Sequence, residues 1–217
     1  MTKNLTSKKN PIKKRPAKPM RILVGVPTFD RVAPECFQSV YGMKVPQGFT
    51  VDIRYVTGYG PAQARNKIAN QAIDEGFDYV LYVDSDQAAP VDTLEKLTKL
   101  QQPITAGWAV MAFGSMDTNI AYLKKIDSNP HGYYSFLKLP DVPTDKMLVA
   151  DAVGFACTMI STEVFKNLNY PYFQYVEYAD RSTLSEDLYF CNAATKAGYA
   201  VLCDTSLQLG HVKSVRI

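Results

Sequence analysis

The sequence has no apolar run close to the roughly 20 residues that a membrane-spanning helix requires. Its charged first residues are not followed by an apolar segment, so a secretory signal pattern is absent as well. The four cysteines are scattered and form no C-x-x-C pair; they are Cys36, Cys157, Cys191 and Cys203. This argues against a zinc ribbon or a disulfide framework, so we expect buried thiols in a reducing compartment. The expected location is the cytoplasm, or the host cytoplasm if the protein is viral.

The net charge of +3 conceals an uneven distribution, because residues 1–20 contain basic side chains and no acidic one. Seven of the 24 lysines and arginines lie there, so residues 21–217 hold 17 basic and 21 acidic residues and are net −4. With several prolines and almost nothing to bury, residues 1–20 are predicted to form a disordered basic tail. Such a tail is either a solubilising segment or expression remnant, or an arm that adds affinity for a polyanion such as nucleic acid.

Strand and helix patterns alternate along the first half of the sequence. Apolar or alternating runs predict strands over 21–26, 49–56, 78–83 and 103–110, and helical spacing predicts helices over 34–43, 62–76 and 91–100. This alternation with short connections predicts an α/β fold, in which a mostly parallel sheet is flanked by helices on both faces. We expect residues 21–217 to form a single domain.

The second half of the sequence is less regular. Between residues 111 and 148 the alternation fails, and such a stretch is either a functional loop or a hairpin with a weak pattern. Further on, the sequence predicts a strand over 152–161, a tyrosine-rich loop over 169–183, a helix over 185–199 and a strand over 200–204. Trp108 and the tyrosines of this loop could stack on a sugar or a base.

The segment YVLYVDSDQAAP (79–90) joins a buried strand to two aspartates separated by one serine. Open α/β sheets bind ligands at the carboxyl ends of their strands, which is where Asp84 and Asp86 lie. Two neighbouring carboxylates repel each other, and the pKa of one rises unless a cation neutralises them. Their oxygens suit Mg²⁺ or Mn²⁺, with substrate phosphates completing the coordination. The alternative is that the two aspartates only form a turn.

Six segments of the chain, in this order, resemble the GT-A class of glycosyltransferases, which use nucleotide-sugars, and in particular its small phage or bacterial members. They are VGVPTFDR, GPAQARNKIANQA, YVLYVDSDQAAP, DAVGFACTMIS, STLSEDLYFCNAATKAGY and VLCDTSLQLGHV. The resemblance covers residues 21–213 and is weakest at 111–148, where that class carries acceptor-specific insertions. It implies a GT-A type, Rossmann-like mixed sheet, with a nucleotide-binding half at 21–110 and an acceptor and catalytic half at 111–217.

The resemblance assigns the D-S-D turn and the C-terminal G-H element to a divalent metal and the donor. Asp86 would bind Mn²⁺ or Mg²⁺, while Asp84 would contact the ribose or the metal through water, and Ser85 would lie against the donor. His211 would be a further metal or phosphate contact, the alternative being an ordinary surface histidine. A metal suits this chemistry because a leaving nucleoside diphosphate gains negative charge, which the cation stabilises.

Five further positions would contact the donor by the same resemblance. Pro27, Thr28 and Asp30 would cradle the nucleobase and ribose, the alternative being a helix cap. Arg65 would face the base or the diphosphate as a fork of hydrogen-bond donors, the alternative being a surface ion pair. Gly154 would let the backbone approach the donor sugar, the alternative being a strand bulge.

Glu186 and Asp187 form a second acidic pair, at the N-terminus of a predicted helix whose dipole keeps a carboxylate charged. By resemblance Asp187, or Glu186, would be the general base that takes the proton from the acceptor hydroxyl as it attacks the anomeric carbon. This role would invert the anomeric centre, whereas retaining members of the class lack such a base. The alternative is that both acids only cap the helix.

The expected donor is a UDP-sugar, with a GDP-sugar as the second choice, and the transferred group is a hexose or an N-acetylhexosamine. A basic arm beside an acidic body suggests a polyanionic acceptor. The first acceptor to consider is therefore a 5-hydroxymethylated base in phage DNA, such as hydroxymethylcytosine, which would have to be flipped out of the duplex. The alternative is a saccharide or cell-envelope glycan, followed by protein and small-molecule hydroxyls.

Other functions fit the motifs less well. Phosphatases of the haloacid dehalogenase type carry D-x-D on their first strand, and sugar-nucleotide pyrophosphorylases begin with a G-x-G-T-R loop that is absent here. The sequence also lacks the G-x-x-x-x-G-K-[ST] pattern of P-loop ATPases. A non-catalytic protein that binds a nucleotide-sugar or a polyanion is the alternative outside the enzymes. The presence of both Asp86 and Asp187 favours the enzyme.

Overall fold

The computed structural model describes residues 18–112, 114–126 and 129–212. Residues 1–17 of the predicted basic tail lie outside the described residues, and the first strand begins at Met20. None of the helices within the described ranges is long and apolar enough to cross a membrane.

Helices and strands alternate in the first half of the chain, whereas strands predominate in the second. The helices of the described residues are α1 Pro34–Gly42, α2 Pro61–Asp74, α3 Thr93–Lys99, α4 Thr162–Lys166 and α5 Glu186–Lys196. The strands up to residue 126 are β1 Met20–Pro27, β2 Phe49–Val56, β3 Tyr79–Val83, β4 Gln87–Ala88, β5 Ile104–Trp108 and β6 Asp117–Ile126. Those that follow are β7 Asn129–Lys138, β8 Met147–Ala150, β9 Ala152–Val153, β10 Cys157–Ser161, β11 Val176–Glu177, β12 Thr183–Leu184, β13 Val201–Gln208 and β14 Gly210–His211.

Seven strands form the central sheet, in the order β2–β1–β3–β10–β5–β13–β8. β1 pairs in parallel with β2 and β3, and β5 pairs in parallel with β13. β10 is antiparallel to both β3 and β5, and β8 is antiparallel to β13. Five strands therefore run in one direction and two in the other, which confirms the predicted mixed, mostly parallel sheet.

The two faces of the sheet carry separate apolar cores, because side chains alternate along the buried strands. From β1, Leu23 joins the core under α2, whereas Ile22 and Val24 join the core under α1. A fully buried side chain of this kind contributes about 1.5–3 kcal/mol. Gly25 allows α2 to pack closely, since a Cβ there would lie 2.5 Å from a methyl carbon of Ile68. Helices thus cover both faces, and the ends of β1 and β3 project from a well-packed scaffold.

The irregular stretch at 111–148 contains a hairpin, which is one of the two predicted alternatives. β6 and β7 pair in antiparallel fashion, and their register shifts twice along the ladder. A register shift interrupts the two-residue alternation of inward and outward side chains. The interruption explains why the sequence pattern of these strands is weak.

The prediction of one strand over 152–161 is wrong. Residues 152–153 form β9, which pairs with β6, whereas residues 157–161 form β10 between β3 and β5. The intervening residues 154–156 carry the chain from the small sheet to the central sheet. An apolar run predicts burial without identifying the strand it pairs with, so the break is not visible in the sequence. The predicted last strand at 200–204 is also longer, since β13 continues to residue 208.

Candidate active site

The carboxyl ends of β1 and β3 open onto one cleft of about 320 Å³. Because the two strands are adjacent and parallel, the loop after β1 and the D-S-D turn after β3 lie side by side. The residues predicted from the sequence that line this cleft are Pro27, Thr28, Arg65, Asp84, Ser85, Asp86, Glu186 and Asp187. Gly154 and His211 line an adjoining recess of about 220 Å³, together with Asp84, Asp86 and Asp187.

His211 reaches the D-S-D turn through a strand pair that joins distant parts of the chain. β14 pairs with β4, so that His211 lies opposite Gln87. Nδ1 of His211 donates to the carbonyl oxygen of Val110 at 2.7 Å, and Nε2 lies 3.0 Å from Oδ2 of Asp86. A neutral imidazole that donates from Nδ1 presents a lone pair at Nε2. In that tautomer both Nε2 of His211 and Oδ2 of Asp86 are acceptors, and two acceptors 3.0 Å apart require a shared proton or a nearby cation.

Asp86 and His211 have the donor chemistry of part of a metal site. A ligating histidine commonly donates its second ring nitrogen to a carbonyl, as His211 does to Val110. Within residues 18–112, 114–126 and 129–212, no group of three or more His, Cys, Asp or Glu side chains has a metal-binding arrangement. An ion held by these two side chains would take its remaining ligands from substrate phosphates and water.

Arg65 lies at the base of the cleft, 4% exposed, and pairs with two carboxylates. Its Nη2 donates to Oδ1 of Asp84 at 2.6 Å, and its Nη1 donates to Oε1 of Glu186. Burial lowers the pKa of Arg65, but the carboxylates of Asp84 and Glu186 outweigh burial, so the pKa is raised. Arg65 and Glu186 are both buried, which contradicts the alternative that Arg65 forms an ion pair at the surface. Contact between Arg65 and a base or diphosphate stays a prediction, because both terminal nitrogens already bind carboxylates.

Asp84 is not an ordinary ionised aspartate. Loss of hydration raises its pKa to about 6, with Arg65 acting in the opposite direction and Asp86 adding to the rise. The Asp84 side chain is still 33% exposed, so its carboxylate remains accessible from the cleft. The repulsion expected between the two aspartates is therefore present, and a bound cation would relieve it.

Glu186 and Asp187 have different surroundings, although they are neighbours on the first turn of α5. The Glu186 side chain is 7% exposed and is held by Arg65, which disfavours it as the general base. Oδ1 of Asp187 accepts a hydrogen bond from the Ser185 hydroxyl, while Oδ2 faces Gly154 and would lie 3.4 Å from a Cβ at that glycine. Ser185 occupies the cap position of α5, but it orients Asp187 instead of capping a backbone N–H.

The loop after β1 contains one structural residue and one exposed acid. Thr28 is 4% exposed, and its hydroxyl donates to the carbonyl oxygen of Arg31, so it shapes the loop. The Asp30 side chain is 70% exposed and lines an outer hollow of about 690 Å³ beside the D-S-D turn. The alternative of a helix cap is wrong for Asp30, because the cap position of α1 belongs to Ala33.

Gly154 provides space in the recess next to Asp187. A Cβ at this position would lie 3.2 Å from Cβ of Asn119, which is closer than a comfortable contact. The Asn119 side chain fixes the backbone here: Nδ2 donates to the Gly154 carbonyl at 2.7 Å, and Oδ1 accepts from the Ala109 amide at 2.9 Å. Gly154 lies in the link between β9 and β10, so the alternative of a bulge within one strand does not apply.

Three residues around the site were not expected from the sequence. Phe29 is 72% exposed and Tyr59 is 39% exposed, and both line the cleft. In the sequence, Phe29 is marked only as the aromatic residue of the P-T-F-D segment, and Tyr59 only as a tyrosine between two glycines. Asn119 carries no local signal, because it acts across strands on a glycine 35 residues away.

The tyrosine-rich loop lies against α2 beside the cleft. Nδ2 of Asn66 donates to the Phe173 carbonyl at 2.7 Å, and Oδ1 accepts from the amides of Tyr172 and Phe173 at 2.9 and 3.2 Å. Asn66 is therefore structural, although it follows Arg65 directly. Tyr175 lies in this loop, and loss of hydration together with the Glu186 carboxylate raises its pKa.

Comparison with known proteins finds similarity in structure but not in sequence. No family model matches the chain, and no curated protein matches it at a significant level. The solved structure of A197 from STIV is similar with a TM-score of 0.63 at 15% identity, over 90% of this chain and 87% of that one. GalNAc-T7, solved with UDP, GalNAc and Mn²⁺, is similar with a TM-score of 0.58 at 13% identity, over 92% of this chain and 45% of that one. The chain is thus a single α/β domain with a GT-A-like fold, as the sequence resemblance predicts.

Proposed function

We propose that the protein is a divalent-metal-dependent glycosyltransferase that moves a sugar from a nucleotide-sugar to an acceptor hydroxyl. One observation carries the proposal. Asp84, Asp86, His211 and Asp187, which come from three distant segments, line one recess at the carboxyl edge of a GT-A-like sheet. Paired acids beside a histidine suit a metal diphosphate, and a separate carboxylate nearby suits a general base.

The donor we propose is a UDP-sugar, with a GDP-sugar as the second choice. The cleft is lined by two exposed aromatic residues, Phe29 and Tyr59, which suit the stacking of a planar base. The similar structure of GalNAc-T7 contains UDP and Mn²⁺, which supports this donor class. Whether a hexose or an N-acetylhexosamine is transferred depends on the sugar the recess admits.

Asp86 and His211 would hold Mn²⁺ or Mg²⁺, with Asp84 contacting the ion through water or binding the ribose. When bound, the ion would stabilise the negative charge that develops on the departing diphosphate. The chain's own residues prepare the site for it. Val110 fixes the His211 ring so that Nε2 faces Asp86, and Arg65 partly compensates the charge of Asp84.

Asp187 would act as the general base. Ser185 holds Oδ1, so Oδ2 is the oxygen that faces the recess beside Gly154. In the proposed step Oδ2 takes the proton of the acceptor hydroxyl, whose oxygen bonds to the anomeric carbon. The bond from that carbon to the diphosphate breaks, and its electron pair leaves with the nucleoside diphosphate. Attack opposite the leaving group inverts the anomeric centre.

For the acceptor, the basic arm favours a 5-hydroxymethylated base in DNA, with a saccharide or cell-envelope glycan as the alternative. Residues 1–17 of the arm lie outside the described residues, so the role of the arm in DNA binding rests on sequence alone. If it holds DNA, deletion of residues 1–19 should weaken DNA binding and flatten its salt dependence, whereas an unchanged salt dependence would remove the arm from DNA binding.

A donor-hydrolysis screen tests the proposal. The protein is incubated with Mn²⁺ and a panel of UDP- and GDP-sugars, with and without hydroxymethylcytosine-containing DNA, and the release of nucleoside diphosphate is measured. Asp86→Ala should abolish metal-dependent nucleotide binding, whereas Asp187→Asn should retain binding and lose turnover. Metal-dependent nucleotide binding without release from any donor would instead indicate the non-catalytic alternative. No nucleotide binding at all would overturn both.

A further inference from the structure

A groove of about 920 Å³ lies beside the cleft, between α2 and the tyrosine-rich loop. Tyr59 lines both the groove and the cleft, so the two are continuous at this ring. Three tyrosines in the groove are well exposed: Tyr59 at 39%, Tyr170 at 62% and Tyr175 at 58%. α2 adds the side-chain amides of Gln63 and Asn70. The groove therefore combines apolar ring surface with neutral hydrogen-bonding groups.

The wall formed by the loop is already in position. Asn66 binds the backbone of Tyr172 and Phe173 with three hydrogen bonds. The Tyr170 ring packs edge-on against Tyr172, with centroids 5.5 Å apart, and Tyr172 packs on Phe165 at 5.1 Å. A ligand that binds here does not have to order the loop first, which removes one cost of binding.

The charge of the groove discriminates between ligand classes. Among the described residues that line it, Lys67 is the one charged side chain, and its ammonium lies 4.5 Å from the centroid of the Tyr59 ring. A nucleic-acid strand is held by several cations that follow its phosphates. A neutral ligand with apolar faces and many hydroxyls needs rings and amides instead, and these are what the groove offers.

We propose that this groove binds the saccharide portion of the acceptor, with the sugar rings packed on Tyr170 and Tyr175 and their hydroxyls bonded to the amides of α2. The proposal rests on the proposed glycosyltransferase function, and for the acceptor it takes the saccharide, the alternative to a base in DNA, because the groove has one charged side chain among its described lining residues. Tyr59 lines both the groove and the cleft, and Glu186 and Asp187 line that same cleft. The inner end of the groove thus adjoins the acidic pair, where the reacting hydroxyl must arrive.

The test is a binding experiment by NMR on the full chain, without donor. Maltotriose, cellotriose, mannotriose and N,N′-diacetylchitobiose are titrated separately, and oligodeoxythymidylate serves as the nucleic-acid probe. Tyr170→Ala and Gln63→Ala alter the groove. Tyr41→Ala is the matched control, since this tyrosine is 58% exposed and lies on α1, against the other face of the sheet.

We expect at least one saccharide to shift the backbone amide signals of residues 170 and 172–175, and Tyr170→Ala to weaken its binding about tenfold or more, as loss of a central aromatic contact does. Tyr41→Ala should leave the affinity unchanged. The proposal is overturned if no saccharide binds, if the shifts lie elsewhere, or if only oligodeoxythymidylate binds in the groove. A parallel titration with UDP and Mn²⁺ separates the two proposals, because that binding depends on Asp86 and not on Tyr170.

Discussion

Replacing Arg65 by methionine removes the cation that lies between Asp84 and Glu186 at the base of the cleft. Methionine fills similar apolar space, so the change acts mainly on charge. The Asp84 side chain is 33% exposed and can be hydrated from the cleft. Glu186, at 7% exposure, would stay buried without its partner, so most of the cost should come from this residue.

Removal of one partner from a buried ion pair costs roughly 3–5 kcal/mol, because the remaining charge is desolvated and uncompensated. We therefore expect Arg65→Met to lower the free energy of unfolding by about 3–5 kcal/mol, a large part of the stability of an ordinary domain. Adding Glu186→Gln removes the stranded charge while keeping the shape of the side chain. The double variant should recover about half of the loss or more.

Urea unfolding monitored by the fluorescence of Trp108 measures these changes, since this single tryptophan is 5% exposed and lies in the core. Arg54→Met is the control, because Arg54 pairs with Glu75 at the surface, where the two side chains are 31% and 42% exposed. Its cost should be about 1 kcal/mol or less. If Arg65→Met costs no more than Arg54→Met, or if Glu186→Gln does not rescue it, then Arg65 does not compensate a buried charge on Glu186.

Three further changes test other parts of the site. His211→Asn should raise the Mn²⁺ concentration needed for UDP binding about tenfold or more, measured by calorimetry; an unchanged requirement would remove the histidine from the metal site. Gly154→Val should crowd Asn119 and the recess, lowering turnover far more than UDP affinity in steady-state kinetics, and equal losses in both would point to misfolding. Asn66→Ala should lower the free energy of unfolding in urea by about 2–4 kcal/mol, because three backbone groups of the loop lose their hydrogen-bond partner. An equal loss in Asn70→Ala, the control on the same helix, would contradict this expectation.

The regular part of the fold could be predicted because its signals are local. β1 and β3 are buried on both faces and therefore appear as continuous apolar runs, and α1 and α2 have helical spacing between them. The break between β9 and β10 could not be predicted, because the same apolar residues serve two sheets. The hairpin of β6 and β7 was hidden for a related reason, since its register shifts disrupt the alternation.

The candidate site divides in the same way. Asp84 and Asp86 could be chosen from the sequence, because the strand before them and the spacing of the two acids lie in one short segment. Phe29 lies within the P-T-F-D segment, but only the three-dimensional structure distinguishes a ring that lines the cleft from any other exposed ring. The role of Asn119 could not be predicted from the sequence, because its side chain binds the backbone of Ala109 and Gly154, which strand pairing brings to it.

By itself, the sequence determined which segments of the regular first half are buried, and which carboxylates follow β3 and begin α5. The tertiary structure alone decided how the carboxylates differ. Glu186 and Asp187 are adjacent, yet one is bound by an arginine 121 residues away and the other faces a recess. His211 meets Asp86 across 125 residues. The physical reason is that hydration and charge compensation depend on neighbours in space, and long-range strand pairing brings those neighbours together.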